Sequence, residues 1–104
     1  MILQQYTYGQ PRVGNLALAD YMTNQGNLWR VTHSNDIVPR LPLEAMGYAH
    51  ASPEYWITSG NDVTVTTDTV DEIVGVNSSA GNAGEVIVSV EAHMWYIVYI
   101  DECD

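Results

Sequence analysis

The spacing of hydrophobic residues changes near residue 15 and predicts a strand followed by a helix. Residues 2–8 are β-rich and run into residues 8–14, where two glycines and a proline mark a loop. Asn15 can cap a helix N-terminus, and Gly26 is a suitable stop. Apolar positions recur at helical spacing between them: Leu16, Ala19, and Met22 or Thr23, with Leu18 and Tyr21 beside them. Residues 28–33 then return to a β-rich pattern, which predicts a βαβ unit with a parallel pair and a right-handed crossover.

The rest of the chain predicts short extended segments between loops. Its prolines exclude a helix through residues 34–42. Residues 53–58 are extended in character, and the alternation of Val and Thr over residues 62–66 predicts a hairpin-like strand. Residues 73–76 are the candidate partner of that strand, and residues 77–84 are small and polar, which predicts a surface loop. Residues 85–90 are another β-rich run. Residues 94–100 form an aromatic and apolar segment before an acidic tail. No repeat and no linker occur, which predicts one domain without an internal boundary.

The charge of the chain excludes one large class of partners. Its 104 residues carry three basic side chains, all arginines, against thirteen acidic ones, for a net charge of −10. Binding to nucleic acid depends on neutralising phosphates, and docking on anionic lipid also needs basic residues. After Arg40 there is no Lys or Arg, whereas eleven acids lie between Glu44 and Asp104. Neither nucleic acid nor an anionic membrane surface is therefore an expected partner.

Hydrophobic content and cysteine usage narrow the class further. A hydrophobic fraction of 46% with seven Tyr and three Trp excludes a disordered acidic tail. No apolar run approaches the roughly 18 residues of a transmembrane segment, and residues 1–5 do not have the features of a signal peptide. A lone thiol, Cys103, cannot close an internal disulfide. It is either a free thiol or the partner of a cysteine outside this sequence.

Two residues are candidates for acid–base chemistry. Asp36 follows a predicted strand, where α/β proteins place chemistry, although Asn35-Asp36 is also a turn dipeptide whose carboxylate can bind its own backbone. His93 carries the usual general base near neutral pH, although histidines also serve as structural hydrogen-bonding groups. An aspartate that orients a histidine is the arrangement of Ser-His-Asp sites, so the pair is more informative than either residue alone.

The sequence also bears on a metal site and on a glycosylation site. A metal site formed by the histidines and Asp36 is not expected, because their spacing matches no compact ligand motif. The histidines are His33, His50 and His93. Asn77 begins an Asn-Ser-Ser triplet in a polar loop and is a candidate glycosylation site.

A nucleophile is not evident in the sequence. No G-x-S-x-G motif occurs, so no nucleophile elbow is encoded. Cys103 lies among carboxylates, which disfavour a thiolate. Ser34 is only two residues before Asp36, which is awkward for a triad that spans separate loops.

Four strings of residues resemble the fungal lipase-type (class 3) α/β-hydrolases. They are 6–15 (YTYGQPRVGN), 32–42 (THSNDIVPRLP), 47–56 (GYAHASPEYW) and 92–96 (AHMWY). They occur in the family's order with similar gaps, and the secreted mono- and diacylglycerol lipases are the most similar group. The resemblance implies that residues 1–104 are the C-terminal portion of a single α/β-hydrolase domain. That portion is a βαβ unit followed by loops and β-rich segments, and it is incomplete on its own.

The resemblance also implies roles for individual residues. Asp36 falls on the triad acid and His93 on the triad base, in the order Ser, Asp, His that is usual for this fold. Cys103 falls near the family's C-terminal cysteine, which pairs with a cysteine near the N-terminus of the full enzyme. Apolar residues fall on or next to positions that line the acyl-binding cleft: Pro11, Val13, Val38, Leu41, Pro42 and Met94.

The implied function is hydrolysis of acylglycerols at a lipid–water interface by a secreted enzyme that needs no cofactor. In the family, the nucleophile elbow, the oxyanion-hole donors and the lid lie upstream. We therefore expect the N-terminal part of the same enzyme to supply the serine, and this chain alone to be inactive. One alternative is a feruloyl-esterase-type member of the same family. The other is a non-catalytic β-rich binding module, which predicts a self-contained core, a free Cys103 and no large exposed apolar face.

Overall fold

The computed structural model describes residues 4–96, which form a four-stranded mixed sheet with one α-helix. The strands are β1 (Gln5–Tyr8), β2 (Leu28–His33), β3 (Glu54–Ile57) and β4 (Val70–Ile73), and the helix is α1 (Leu16–Gln25). Short 3-10 turns lie at Val38–Arg40, Glu44–Met46, Thr67–Thr69, Asn82–Gly84 and Glu91–Met94. Cys103, the acidic tail and part of the predicted segment 94–100 lie outside the described residues.

Local sequence sets both ends of α1. The Asn15 side chain accepts a hydrogen bond from the Leu18 N–H at 3.0 Å, as an N-cap does. Gly26 ends the helix in the left-handed conformation at φ 69°, and its N–H donates to the Thr23 carbonyl. The predicted helix and both of its caps are confirmed.

The parallel pair of the predicted βαβ unit is confirmed. β1 pairs with β2 in parallel, with Tyr6 opposite Trp29, and β2 pairs in parallel with β3. β4 runs antiparallel to β3 and completes the order β1-β2-β3-β4. The extended character predicted for residues 53–58 is confirmed as β3. Because three neighbouring strands point the same way, the segments that follow them begin at one edge of the sheet, where α/β folds place their sites.

The predicted hairpin between residues 62–66 and 73–76 is wrong. Residues 63–66 form no strand, and β3 instead takes β4 as its antiparallel neighbour, with Ile57 opposite Val70. Alternating Val and Thr residues show only that an extended segment would have one apolar face and one polar face. A strand also needs a partner in register, and residues 63–66 have none within residues 4–96.

Residues 85–90 also form no strand, contrary to their β-rich pattern. Val86 and Ile87 are 94% and 77% exposed, and Ser89 makes an isolated parallel bridge to Asp36. Strand propensity mostly reflects how well a side chain packs on a pleated surface. In the described part of the chain, no such surface covers Val86 and Ile87.

The segment 77–84 is a loop, as predicted, but its placement wholly at the surface is wrong. Asn82 is 1% exposed, and Gly81 is also buried. A Cβ on Gly81 would lie 2.6 Å from Glu54 Oε1, so the loop packs directly on this carboxylate. Part of this polar loop is therefore buried because it packs on the Glu54 side chain at the start of β3.

The core is small, and α1 packs against β2 beside it. Its buried hydrophobic residues are Ala19, Leu28, Ala49, Ala51, Ile57, Ala92 and Tyr96. Ala92 and Tyr96 flank His93 in the sequence, so core packing also holds the segment that carries this histidine. None of the helices in residues 4–96 combines the length and the apolar character needed to cross a membrane.

The sheet leaves one of its faces largely open. An apolar cavity of about 350 Å³ is lined by residues that include Tyr6, Tyr8, Val31, Tyr55, Ile57 and Val70. Tyr6 and Tyr8 are 56% and 51% exposed. Large exposed apolar surfaces of this kind are unusual on self-contained domains and usually contact something else.

Candidate active site

Asp36 and His93, 57 residues apart in the chain, are in direct contact. His93 Nδ1 lies 2.9 Å from Asp36 Oδ2. The Asp36 side chain is fully buried, whereas the His93 side chain is 35% exposed. A buried carboxylate therefore holds one nitrogen of a ring whose other side is open to substrate or solvent.

The turn after β2 places the Asp36 carboxylate. The Asp36 N–H donates to the His33 carbonyl at 2.9 Å, and Val38 N–H donates to Asp36 Oδ1 at 2.8 Å. A distant segment also stabilises this turn, because Ser89 N–H donates to the Asn35 carbonyl at 2.8 Å. The backbone-binding interpretation of Asp36 is therefore correct for Oδ1. It does not compete with the contact to His93, which uses Oδ2.

His93 lies on the 3-10 turn Glu91–Met94, which is fixed by contacts on both sides. The Ala92 N–H donates to Ser89 Oγ at 3.2 Å. The Ala92 carbonyl oxygen lies 2.8 Å from His33 Nδ1 at the end of β2. The residue immediately before His93 is thus tied to the strand that leads to Asp36, which keeps the acid and the base in register.

Tyr96 is a third member of this cluster, and it was not among the predicted site residues. Its hydroxyl donates to Asp36 Oδ2 at 2.5 Å. Burial, followed by the hydrogen bond with the Asp36 carboxylate, raises the pKa of Tyr96 far above its ordinary value. The phenol therefore remains protonated and donates at any ordinary pH. Its signals in the sequence are its place three residues after the histidine, within the resembling string 92–96 and within the aromatic and apolar segment 94–100.

Asn82 is a second member of the site that was not predicted. Its side-chain amide donates to the Asp36 carbonyl at 2.8 Å and to the Ser34 carbonyl at 3.2 Å. These are backbone groups of the turn that carries the carboxylate. A single Asn in a loop of small polar residues carries no signal for such a role, because the contact joins positions 46 residues apart.

A buried polar group lies beneath the turn. Glu54 accepts hydrogen bonds from Asn82 N–H at 3.1 Å and from the Thr32 hydroxyl. Arg30 Nη2 lies 3.9 Å from Glu54 Oε1, and burial lowers the pKa of Arg30 to about 10. The same carboxylate thus supports both β2 and the Asn82 loop that holds the Asp36 turn.

The remaining histidines bind backbone carbonyls. His33 Nε2 lies 2.8 Å from the Ser59 carbonyl oxygen, and His50 Nε2 contacts the Pro39 carbonyl. Burial, aided by the charge of Arg30, lowers the pKa of His50 to about 3. Within residues 4–96, no three His, Cys, Asp or Glu side chains are placed to share a metal ion.

The apolar residues expected in an acyl cleft include exposed and partly buried side chains. Arg12 N–H donates to the Leu41 carbonyl at 2.7 Å, so the segment that carries Pro11 and Val13 runs beside Leu41. Val13 and Leu41 are 53% and 42% exposed. The other members, Val38, Pro42 and Met94, are partly buried. Their role in binding an acyl chain stays a prediction.

Asn77 has its own contacts in the structure. Its N–H donates to the His50 carbonyl at 2.9 Å, and its Oδ1 accepts from the His50 N–H at 3.4 Å. The side chain is partly buried. Its glycosylation stays a prediction.

The geometry of Asp36 and His93 suits general-base chemistry. A carboxylate bound to Nδ1–H selects the ring tautomer in which Nε2 carries the lone pair. Among residues 4–96, no partner holds His93 Nε2, and the ring is partly exposed. Such a nitrogen can remove a proton from a hydroxyl group and later return it to a leaving group.

This chain is similar in sequence to known lipases. The family model described as "Lipase (class 3)" matches residues 2–46. The secreted mono- and diacylglycerol lipase A of Penicillium cyclopium is 54% identical over 99 residues, which are 92% of this chain and 32% of that protein. The chain therefore spans a third or less of the length of this relative and corresponds to a C-terminal part of it.

Solved structures agree with the sequence matches. A crystal structure of the Penicillium cyclopium protein MDLA superposes with a TM-score of 0.88 at 53% identity, over 94% of this chain and 37% of that chain. Another, described as a triacylglycerol lipase whose catalytic centre is a serine protease triad, superposes with a TM-score of 0.74 at 36% identity. That match covers 91% of this chain and 35% of the other.

Proposed function

The chain belongs to the class 3 lipase family with its α/β-hydrolase fold, and on this premise we propose that Asp36 and His93 are the acid and the base of a catalytic triad that hydrolyses lipid esters. The observation that carries the proposal is the 2.9 Å contact between His93 Nδ1 and the buried Asp36 Oδ2. Triads are recognised by geometry and roles, and this contact is the acid–base half of one.

The roles follow from the two nitrogens of the His93 ring. Nε2 takes the proton of a serine hydroxyl while the serine oxygen attacks the ester carbonyl carbon. The same proton then passes to the departing alcohol oxygen when the acyl–oxygen bond breaks. In the second half, water attacks the carbonyl carbon of the acyl-enzyme and loses a proton to Nε2. Nε2 returns this proton to the serine oxygen as the acyl–serine bond breaks and the fatty acid leaves. Asp36 keeps the ring oriented and stabilises the imidazolium that forms in each half.

The serine, in this proposal, belongs to polypeptide outside these 104 residues. The sequence holds no nucleophile elbow, and the relatives that it matches are about three times as long. The open apolar face beside Tyr6 and Tyr8 supports the same idea, because a self-contained binding module would not expose such a surface. The chain on its own is therefore expected to be inactive.

Acylglycerols are the proposed substrates. The Penicillium relative is named a mono- and diacylglycerol lipase, and Val13 and Leu41 are exposed apolar side chains that an acyl chain could contact. The net charge of −10 favours neutral lipid over anionic lipid. Secretion is part of the proposal because the relative is named secreted, and no cofactor takes part in the steps above.

A chimera tests the proposal directly. In it, this chain replaces the matching C-terminal part of the Penicillium cyclopium lipase, and fatty acid release from an emulsified monoacylglycerol is measured. We expect turnover, and we expect His93→Ala to reduce it on the order of ten-thousandfold or more, because loss of a triad member has effects of this size. Glu91→Ala is the matched control, since Glu91 is exposed on the same turn.

Two results would contradict the proposal. Full turnover in the His93→Ala chimera would remove His93 from the mechanism. Ester hydrolysis by the purified 104-residue chain alone, abolished by the same substitution, would show that the serine need not come from elsewhere.

A further inference from the structure

We propose that Gly9 and Tyr96 are positioning residues that hold the Asp36–His93 pair, Tyr96 through its hydroxyl and Gly9 through its missing side chain. The inference rests on the proposed triad, which gives the pair its chemical purpose. Neither residue touches the reacting atoms in this mechanism. Both act on the orientation of the His93 ring.

Tyr96 completes the set of donors around the Asp36 carboxylate. Val38 N–H occupies Oδ1, and Tyr96 Oη shares Oδ2 with His93 Nδ1. The carboxylate is fully buried, so an oxygen that lost its donor would stay unsatisfied. With Val38 and Tyr96 in place, the carboxylate cannot rotate without breaking a hydrogen bond, and its Oδ2 stays aimed at the imidazole.

The ring of Tyr96 also limits the tilt of His93. The two rings meet edge to face, with centroids 6.2 Å apart and planes at 89°. On its other sides Tyr96 contacts the rings of Tyr8 at 6.1 Å and His33 at 5.7 Å. Tyr96 is itself 5% exposed, so its ring is packed in place and restricts the orientation of the imidazole.

Gly9 lies against both Tyr96 and His93 at the end of β1. Its N–H donates to the Val31 carbonyl at 2.8 Å, which anchors its position to β2. A Cβ on Gly9 would lie 2.6 Å from Tyr96 Oη and 2.7 Å from both His93 Cε1 and Nδ1. At distances this short something must shift, so a Cβ at Gly9 would displace the Tyr96 hydroxyl or the His93 imidazole from its place beside Asp36.

Gly26 provides a control for Gly9 within the same chain. Both glycines have a left-handed backbone, with φ of +66° at Gly9 and +69° at Gly26, so alanine incurs similar backbone strain at either position. A Cβ on Gly26 has no heavy atom within 4 Å. A difference between Gly9→Ala and Gly26→Ala therefore reports the contact with Tyr96 and His93.

The test is nuclear magnetic resonance of the chimera with the Penicillium cyclopium lipase, with ¹⁵N-labelled histidine. The His93 signals are assigned by their loss in His93→Gln, and they show which ring nitrogen is protonated and how fast the Nδ1 proton exchanges with water. In Gly9→Ala we expect loss of the Nδ1-protonated tautomer or exchange faster on the order of tenfold, relative to Gly26→Ala. In Tyr96→Phe we expect a similar acceleration, whereas Tyr21→Phe, exposed on α1, leaves the signal unchanged.

An unchanged His93 signal in Gly9→Ala or in a folded Tyr96→Phe overturns the proposal for that residue. If Gly9→Ala loses its circular dichroism while Gly26→Ala keeps it, Gly9→Ala no longer reports on ring geometry. Tyr96→Phe, which keeps the shape of the ring, then decides the proposal by itself. The measurement needs no catalysis. An active His93→Ala chimera would therefore refute the triad. The ring signals of the protein that keeps His93 would still test the positioning roles of Gly9 and Tyr96.

Discussion

Asn82 donates its side-chain amide to the backbone carbonyl of Asp36, across 46 residues of sequence. The same amide reaches the Ser34 carbonyl, and the Asn82 N–H donates to Glu54. One buried residue thus ties the turn that carries the Asp36 carboxylate, through its side chain, to Glu54 at the start of β3, through its backbone N–H. The orientation of the acid is consequently a property of the packed loop, and not of the turn alone.

Replacement of Asn82 should therefore destabilise the chain. Asn82→Ala leaves the Asp36 carbonyl without this donor in a buried place, and such losses cost about 1–3 kcal/mol of the free energy of unfolding. Urea unfolding followed by circular dichroism measures the effect. Asn24→Ala, at an exposed position of α1, should stay within about 0.5 kcal/mol. Equal stability of the two variants would show that the Asn82 contacts contribute nothing.

Asp36→Asn should abolish most turnover in the chimera with the Penicillium lipase. An amide in place of the carboxylate cannot stabilise the imidazolium and no longer selects the tautomer with a free Nε2. Such a change lowers kcat by about ten-thousand-fold in a Ser-His-Asp enzyme. Asp62→Asn, in an exposed turn with φ of 56°, is the matched control and should keep full activity. A kcat within tenfold of the parent in Asp36→Asn would exclude Asp36 as the triad acid.

The stability of the chain should fall as the pH is lowered from about 6.5 towards 3, in part because of His50. Burial lowers its pKa from 6.5 to about 3 in the folded chain. Between these values the unfolded chain binds a proton that the folded chain does not, so acid favours unfolding. The contribution reaches about 1.4 kcal/mol per pH unit.

His50→Gln isolates this contribution, since glutamine can still donate to the Pro39 carbonyl but does not titrate. The parent chain should lose stability relative to the variant as the pH falls from 6 to 4, measured by urea unfolding at each pH. A constant difference between the two curves would mean that His50 titrates normally in the folded chain.

Loss of the Glu54 charge should be costly, because Arg30 would be left buried beside a neutral group. Glu54 also accepts hydrogen bonds from Thr32 and Asn82. Removing one member of a buried ion pair typically costs about 3–5 kcal/mol, so we expect Glu54→Gln to lower the free energy of unfolding by this order. Glu72→Gln, at an exposed site on β4, should change it by less than about 1 kcal/mol. Thermal unfolding of the two variants compares them, and similar melting temperatures would contradict the expectation.

Local signals in the sequence predicted some elements well and others wrongly, for a physical reason. The ends of α1 depend on Asn15 and Gly26, whose hydrogen bonds reach only three residues along the chain, so sequence is sufficient for them. The segments 62–66 and 85–90 have equally clear β patterns but form no strand. A strand needs a neighbour in register, and residues 70–73 took that position beside β3.

The sequence by itself determined the helix, the parallel pair and, through its four matching strings, the identity of Asp36 and His93 as the acid and base candidates. It could not determine what surrounds them. Tyr96 and Asn82 reach Asp36 across 60 and 46 residues of sequence, through a hydroxyl and an amide. Gly9, at the end of β1, leaves room for His93 through its missing Cβ. These contacts exist only because parallel strands end at one edge of the sheet and buried polar groups must find partners there, which is a condition that packing imposes and local sequence does not encode.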